Sequence, residues 1–221
     1  MAGGSVLTYL DGYCERAGHA TLLAEPLNAV TNLFFILAAV LVVRALLRLP
    51  RGLARVDLWL LAGALFLIGI GSGLWHLHPT KTTVLMDVIP ITLFINIYLI
   101  AALRRLLGLS WNRVALWWLI YCAAGVVAQR VLSPELLNGT IMYIPTYLTL
   151  GLITAALWVR DRAVGRVLLV VMLVWSASLI FRTIDLDICE RMAFGTHFLW
   201  HTLNAWVLWR LSMVLVEKAR A

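Results

Sequence analysis

Five histidines occur in the 221 residues, and two of them, His197 and His201, stand four apart in the stretch Gly195-Thr-His-Phe-Leu-Trp-His-Thr-Leu-Asn204. On an α-helix that spacing turns through about 400°, so both imidazoles leave one face, about 6 Å apart along the axis. A divalent ion with metal–nitrogen bonds of about 2.0–2.1 Å can be gripped by such a pair. Two histidines do not complete a site, so the rest of the chain has to supply a third ligand and a group to handle protons.

Candidates for both lie close together upstream. In GIGSGLWHLHPT, residues 69–80, Ser72 and His76 are again four apart and share a helical face, while His78 points elsewhere and is not counted as a ligand. Asp87 follows about one turn inside the next apolar stretch, ahead of Pro90. A carboxylate at the centre of a bilayer helix costs about 2.5–3.5 kcal/mol on insertion scales, so it normally faces a partner or a cavity. His76, Asp87, His197 and His201 therefore read as one constellation, provided that the elements carrying them set all four at one depth.

Those elements are membrane helices. The chain is 62% hydrophobic and 13% charged, against about 45–50% and about 25% for a soluble domain. Seven apolar segments, 27–47, 57–77, 83–103, 114–132, 139–159, 166–182 and 196–216, are each long enough to cross a core about 30 Å thick. Short connections, with no internal repeat, predict an all-α membrane protein: one seven-transmembrane helix bundle spanning 1–221 behind a leader, 1–26. The leader has no basic n-region and does not read as a cleavable signal peptide.

Charge sets the orientation. With the N-terminus outside and the C-terminus cytoplasmic, thirteen of the eighteen Lys and Arg residues fall on the inside and five outside, the bias that governs membrane topology. The net charge of +7 thus reports orientation, and no nucleic-acid partner is expected. In this topology His76 ends the second helix, Asp87 begins the third and the histidine pair begins the seventh, so all four groups lie toward the outer leaflet. The expected location is a multi-pass protein of a bacterial inner membrane with its site on that side.

The leader, DGYCERAGHATLLAEPLNAVTN over residues 11–32, is rich in carboxylates and has Pro26 in the first helical turn. Asp11, Glu15 and Glu25 could supply oxygen ligands to calcium, with backbone carbonyls completing the shell, or could serve only as a solvated leader and helix cap. Asn28 and Asn32, one turn apart, are expected to hydrogen-bond across the bundle, and Arg182 and Asp185 to pair at the outer end of the sixth helix. Cys14 and Cys189 both map to the outside, the oxidising face, so a Cys14–Cys189 disulfide is expected; Cys122 reads as a buried apolar thiol.

Taken together, YCE with AEPLNAVTN (13–15 and 24–32), SGLWH with Asp87 eleven residues after His76, and HFLWH on the last helix resemble the alkaline ceramidase family. That family belongs to a superfamily of seven-helix hydrolases that also includes adiponectin-receptor-like proteins. The resemblance covers the whole chain in helix order. It implies a zinc site of His76, His197 and His201 with Asp87 and Ser72 beside it, a calcium site in the leader that includes Tyr13, and a substrate chamber open to the bilayer. Where the family has an aspartate directly before the aromatic-Cys-Glu this chain has Gly12, and Ala17 stands where the family has an asparagine, so Glu15 and Glu25 become the better calcium candidates.

The chemistry expected on this basis is zinc-dependent hydrolysis of the amide bond of a ceramide-like membrane lipid, giving a sphingoid base and a free fatty acid. Three neutral imidazoles leave zinc an open position for water. Asp87 is expected to act as general base, and Ser72 to help stabilise the oxyanion. The alternatives are a hydrolase of another amide or ester lipid, a receptor of the adiponectin-receptor-like kind with a structural metal, and a proton relay through Asp87 and the histidines. The lack of an inverted repeat weighs against a transporter.

Overall fold

The apolar segments fold as helices from end to end. The computed structural model describes residues 12–19, 21–50, 55–133 and 135–220, and all regular structure among them is helical. Seven long helices run in chain order: α1 Pro26–Leu47, α2 Val56–Leu77, α3 Lys81–Arg105, α4 Trp111–Val131, α5 Thr140–Arg160, α6 Arg162–Thr183 and α7 His197–Arg220. The first is two pieces, Pro26–Thr31 and Leu33–Leu47, joined at Asn32. The first turn of α5, Thr140–Tyr143, is a tighter 3₁₀ turn. The seven predicted segments coincide with these helices to within four residues at each end; α7 runs on to Arg220 rather than 216, and α6 starts at Arg162 rather than 166, because the Asp161 side chain accepts from the Val164 N–H and caps the helix after a one-residue turn.

Six of the seven, α1 to α6, are long and apolar enough to cross a membrane. The last helix matches them in length, 24 residues, but not in apolarity. The reason is its position. His197, His201, Asn204 and Ser212 are buried, so its polar groups face the bundle, and α7 packs against α1 and α6 as an interior strut. The outward faces of the other helices are lined by exposed large apolar side chains, among them Leu60, Leu67, Ile89, Leu116, Leu152 and Leu173. Helices with every backbone group satisfied internally and apolar groups on their outer surface are what a hydrocarbon environment admits.

The closest helix pair is α2 against α3, and its geometry sets the site. Proline at position 90 has no N–H to give to the carbonyl of Met86, four residues earlier. Gly71 of α2 sits directly against that carbonyl, so close that a side chain there would overlap the Met86 C=O. The next residue on each helix is Ser72 and Asp87. The glycine–carbonyl contact therefore places these two side chains side by side. Gly71→Ala should separate the helices at a cost of about 1–3 kcal/mol, lowering the melting temperature by roughly 2–4 °C per kcal/mol. A thermal melt in detergent matching the wild type would show that the contact is slack.

At the opposite end of the bundle, Arg105 makes a two-pronged ion pair with Asp57, at 2.6 and 2.7 Å, joining the end of α3 to the start of α2. Thr80 and Thr83 cap the start of α3 reciprocally, each side chain accepting the other's backbone N–H at 3.1 and 2.8 Å. The α2–α3 hairpin is thus held at both ends.

Candidate metal centre

The three histidines named from spacing meet. His76 from the last turn of α2 and His197 and His201 from the first turns of α7 bring one ring nitrogen each within 4.8 Å of one another, and all three residues are 0–1% exposed. His76 Nε2 and His201 Nε2 are 3.2 Å apart.

The outer nitrogens decide what those inner ones are. His76 Nδ1 lies 2.5 Å from Glu25 Oε2, and a carboxylate can only accept, so the proton of His76 is on Nδ1. His201 Nδ1 lies 3.0 Å from Thr31 Oγ1, whose own proton goes to the Leu27 carbonyl at 2.7 Å. His201 therefore donates from Nδ1 as well. Both Nε2 atoms then present lone pairs to each other, which is repulsive unless a cation lies between them. Two ligands of a tetrahedral ion with bonds of about 2.0–2.1 Å stand about 3.3 Å apart, close to the separation observed. His197 brings its ring to the same place, and its Nδ1 is buried with no hydrogen-bond partner. Imidazoles held by carboxylate and hydroxyl acceptors on their far nitrogens are the usual outer support of a metal ligand. The donor set fits a divalent metal ion.

The leader supports this centre. Glu25, 2% exposed, takes Arg16 on one oxygen and His76 and Asn28 on the other. Burial alone would raise the Glu25 carboxyl, but the hydrogen bonds and charge of these partners hold it below its ordinary value. The Arg16 guanidinium also donates to the carbonyls of His19 and His76, at 3.0 and 2.7 Å. A positive charge surrounded by a carboxylate and backbone carbonyls is what the calcium reading required, and here the chain's own arginine provides it. Glu15 accepts the backbone N–H groups of Leu27 and Asn28 at 2.7 and 2.8 Å and so caps α1. Burial raises its carboxyl even so. The Tyr13 ring lies on His197 and His76, with centroids 4.1 and 4.9 Å away. Asp11 lies outside the described residues. Among the described residues the three histidines are the only cluster of His, Cys, Asp and Glu side chains that could hold a metal ion.

Further corrections concern polar pairs near this end. Asp185 does not pair with Arg182. Its carboxylate accepts the N–H groups of Thr196, His197 and Cys14 at 2.6, 2.8 and 3.1 Å, capping α7 and tying the leader to it. Gly195, at φ +59°, is required there, because a side chain would collide with that carboxylate and with Cys14. Asn28 and Asn32 do not bond across the bundle: Asn32 donates to the Asn28 carbonyl within α1, and Asn28 to Glu25. Cys14 and Cys189 form a disulfide, with Cα atoms 5.2 Å apart. Cys122 is free and only partly buried.

Beside the histidines opens a cavity of about 500 Å³ lined by Ser72, His76, Asp87, Arg182, His197 and Trp200, among others. Ser72 Oγ and Asp87 Oδ1 are buried without a hydrogen-bond partner. They are neighbours, though not at hydrogen-bonding geometry, and both border the space next to the metal-binding nitrogens. The cavity is continued by an apolar pocket of about 60 Å³ deeper in the bundle, and Ile91, Ile95, Tyr121, Tyr143 and Thr146 line both. Sequence reasoning did not find the parts played by Arg16, Thr31 and Arg182. Only Arg182, a cation at the end of an apolar segment, carried a signal of function. The chain matches no protein-family model and no curated protein.

Proposed function

We propose that the chain is a zinc-dependent intramembrane hydrolase that cleaves the amide bond of a lipid, with a ceramide-like amide as the reference substrate. In this reading all seven helices span the membrane, the N-terminus and the site face outward, and the C-terminus is cytoplasmic. One observation carries it: three buried imidazoles, two of them braced on their outer nitrogens, meet beside a cavity bordered by a carboxylate oxygen and a hydroxyl that have no hydrogen-bond partner.

When bound, a divalent ion at His76, His197 and His201 supplies Lewis acidity, making water a nucleophile at neutral pH and polarising an acyl carbonyl. Asp87 accepts the proton of the attacking water as its oxygen joins the acyl carbon. It then returns that proton to the nitrogen as the C–N bond breaks, releasing a fatty acid and an amine. The Ser72 hydroxyl donates to the oxygen on which negative charge develops. Glu25 and Thr31 keep two imidazoles in the tautomer that faces inward. Ile91, Ile95 and the deeper apolar pocket receive the acyl chain and exclude water. The arginine-rich loops opposite the site support the orientation.

The test is purified protein in detergent offered a panel of amide and ester lipids, with fatty-acid release followed by mass spectrometry. Release from the amide lipids that stops with chelator and returns with zinc is the expected result. No release from any member of the panel by metal-loaded protein would refute the hydrolase reading.

A further inference from the structure

Arg182 is the charged group in the cavity that the reaction above leaves without work. It lies near the end of α6 and lines the cavity with Tyr13, Asp87, Tyr143 and His197. Its guanidinium lies against an aromatic face. The carbon at its centre is 5.3 Å from the centroid of the Trp200 ring, and Tyr13 lines the cavity beside it. Yet among the described residues no carboxylate lies within ion-pair distance, and Nε is buried with no partner at all. Asp87 shares the cavity without pairing with it.

An arginine cannot shed its proton inside a protein, so burial leaves a permanent positive charge to be satisfied. Such charges are expensive at membrane depth and are normally paired with a chain carboxylate. Arg16, wholly buried, follows that rule with Glu25, and even the partly exposed Arg105 pairs with Asp57. Arg182 instead lies on an aromatic face, which orients the fork of N–H groups and supplies no carboxylate to compensate its charge. A planar, pre-oriented fork with free donors matches a carboxylate in geometry and in sign.

We propose that Arg182, held against Trp200, is the subsite for a carboxylate carried by the amphiphile in the cavity. This rests on the lipid-hydrolase reading of the same cavity and narrows its ligands to acidic amphiphiles. The carboxylate has two possible sources, the fatty acid released by hydrolysis or an acidic headgroup on the amide lipid itself, as in an N-acyl amino acid.

Binding to metal-stripped wild-type protein separates this from turnover. Tryptophan fluorescence, with Trp200 against the guanidinium, follows titration in neutral detergent with palmitate, N-palmitoylglycine and hexadecanol. At least one acid should bind tenfold or more tightly than the alcohol. Arg182→Gln should erase that preference while hexadecanol binding stays unchanged, and Arg182→Lys should retain part of it. Tighter binding of palmitate assigns the subsite to the product, and tighter binding of N-palmitoylglycine assigns it to the headgroup. Equal affinity of wild type for acids and alcohol overturns the proposal whether or not the variants fold, as does a preference that survives in Arg182→Gln. Neither result bears on chelator-sensitive amide hydrolysis, so the two readings fail separately.

Discussion

Asp87→Asn is expected to remove turnover and leave the metal in place. Asparagine has nearly the same size and shape, so the contact between Gly71 and the Met86 carbonyl that seats position 87 beside Ser72 is undisturbed. The side chain lost is the one group at the cavity edge, outside the histidine cluster, that can take a proton from water. Asp87 Oδ1 has no hydrogen-bond partner in the protein, so the carboxylate is not engaged in holding the fold, and its replacement should leave the melting temperature at or above that of the wild type. Loss of a general base lowers rates by about 10²–10⁴-fold, and here the same group also returns the proton to the leaving nitrogen. Fatty-acid release should fall by at least about a hundredfold. Elemental analysis should still find the wild-type zinc content. An Asp87→Asn protein that keeps most of its activity would end the base assignment. One that loses its zinc would instead make Asp87 a ligand.

The second large effect is on the metal itself. His197→Ala and His201→Ala each remove one of three nitrogens that meet within 4.8 Å. The remaining two imidazoles cannot close the same site, and zinc content after dialysis should fall below about a tenth of the wild-type value, since even loss of an outer partner weakens metal binding about 10–100-fold. That smaller effect supplies the graded control. Thr31→Val removes the acceptor that fixes the His201 tautomer without touching a ligand, and should weaken zinc by an amount between wild type and the alanine variants. Glu25→Gln is a poorer control, because it would also leave the buried Arg16 charge unpaired. Full zinc occupancy in both alanine variants would remove the three-histidine site from consideration. A Thr31→Val variant as depleted as His201→Ala would place the hydroxyl among the ligands.

What was legible in the sequence depended on periodicity and cost. A hydrophobic run long enough to cross a bilayer is hard to mistake, and the seven segments appear as helices within a few residues of their predicted ends. His197 and His201 share a face because helical spacing alone requires it. Asp87 stood out because a carboxylate in an apolar helix is costly without a purpose. The last helix shows the limit of the same reasoning. Its polar content keeps it below the apolarity of the other six, and its burial against α1 and α6 is a property of the packed bundle.

In the leader, the partners of the carboxylates are a matter of tertiary structure. Carboxylates near backbone carbonyls mark a site for a cation, but composition is silent on whether that cation arrives from solution or from the chain. Arg16 lies nine residues from Glu25 and sixty from His76, and no local pattern announces that its guanidinium will close on both. Asp185 was paired with Arg182 on sequence proximity, yet its carboxylate satisfies three backbone N–H groups, two of them at the start of α7. Free N–H groups at a helix start attract a nearby carboxylate, and chain reversal at the disulfide brings this one to them.

The sequence by itself determined the helices, the four residues of the constellation and the face from which each leaves its helix, because these follow from spacing along one chain and from the cost of polar groups in hydrocarbon. Only the tertiary structure decided which nitrogens of His76 and His201 face inward, that Glu25 and Arg16 brace the centre, and that Arg182 reaches the cavity with no carboxylate in ion-pair contact. Tautomers, ion pairs and cavities are settled by distances between helices, and those depend on how closely residues such as Gly71, which has no side chain, allow two backbones to approach.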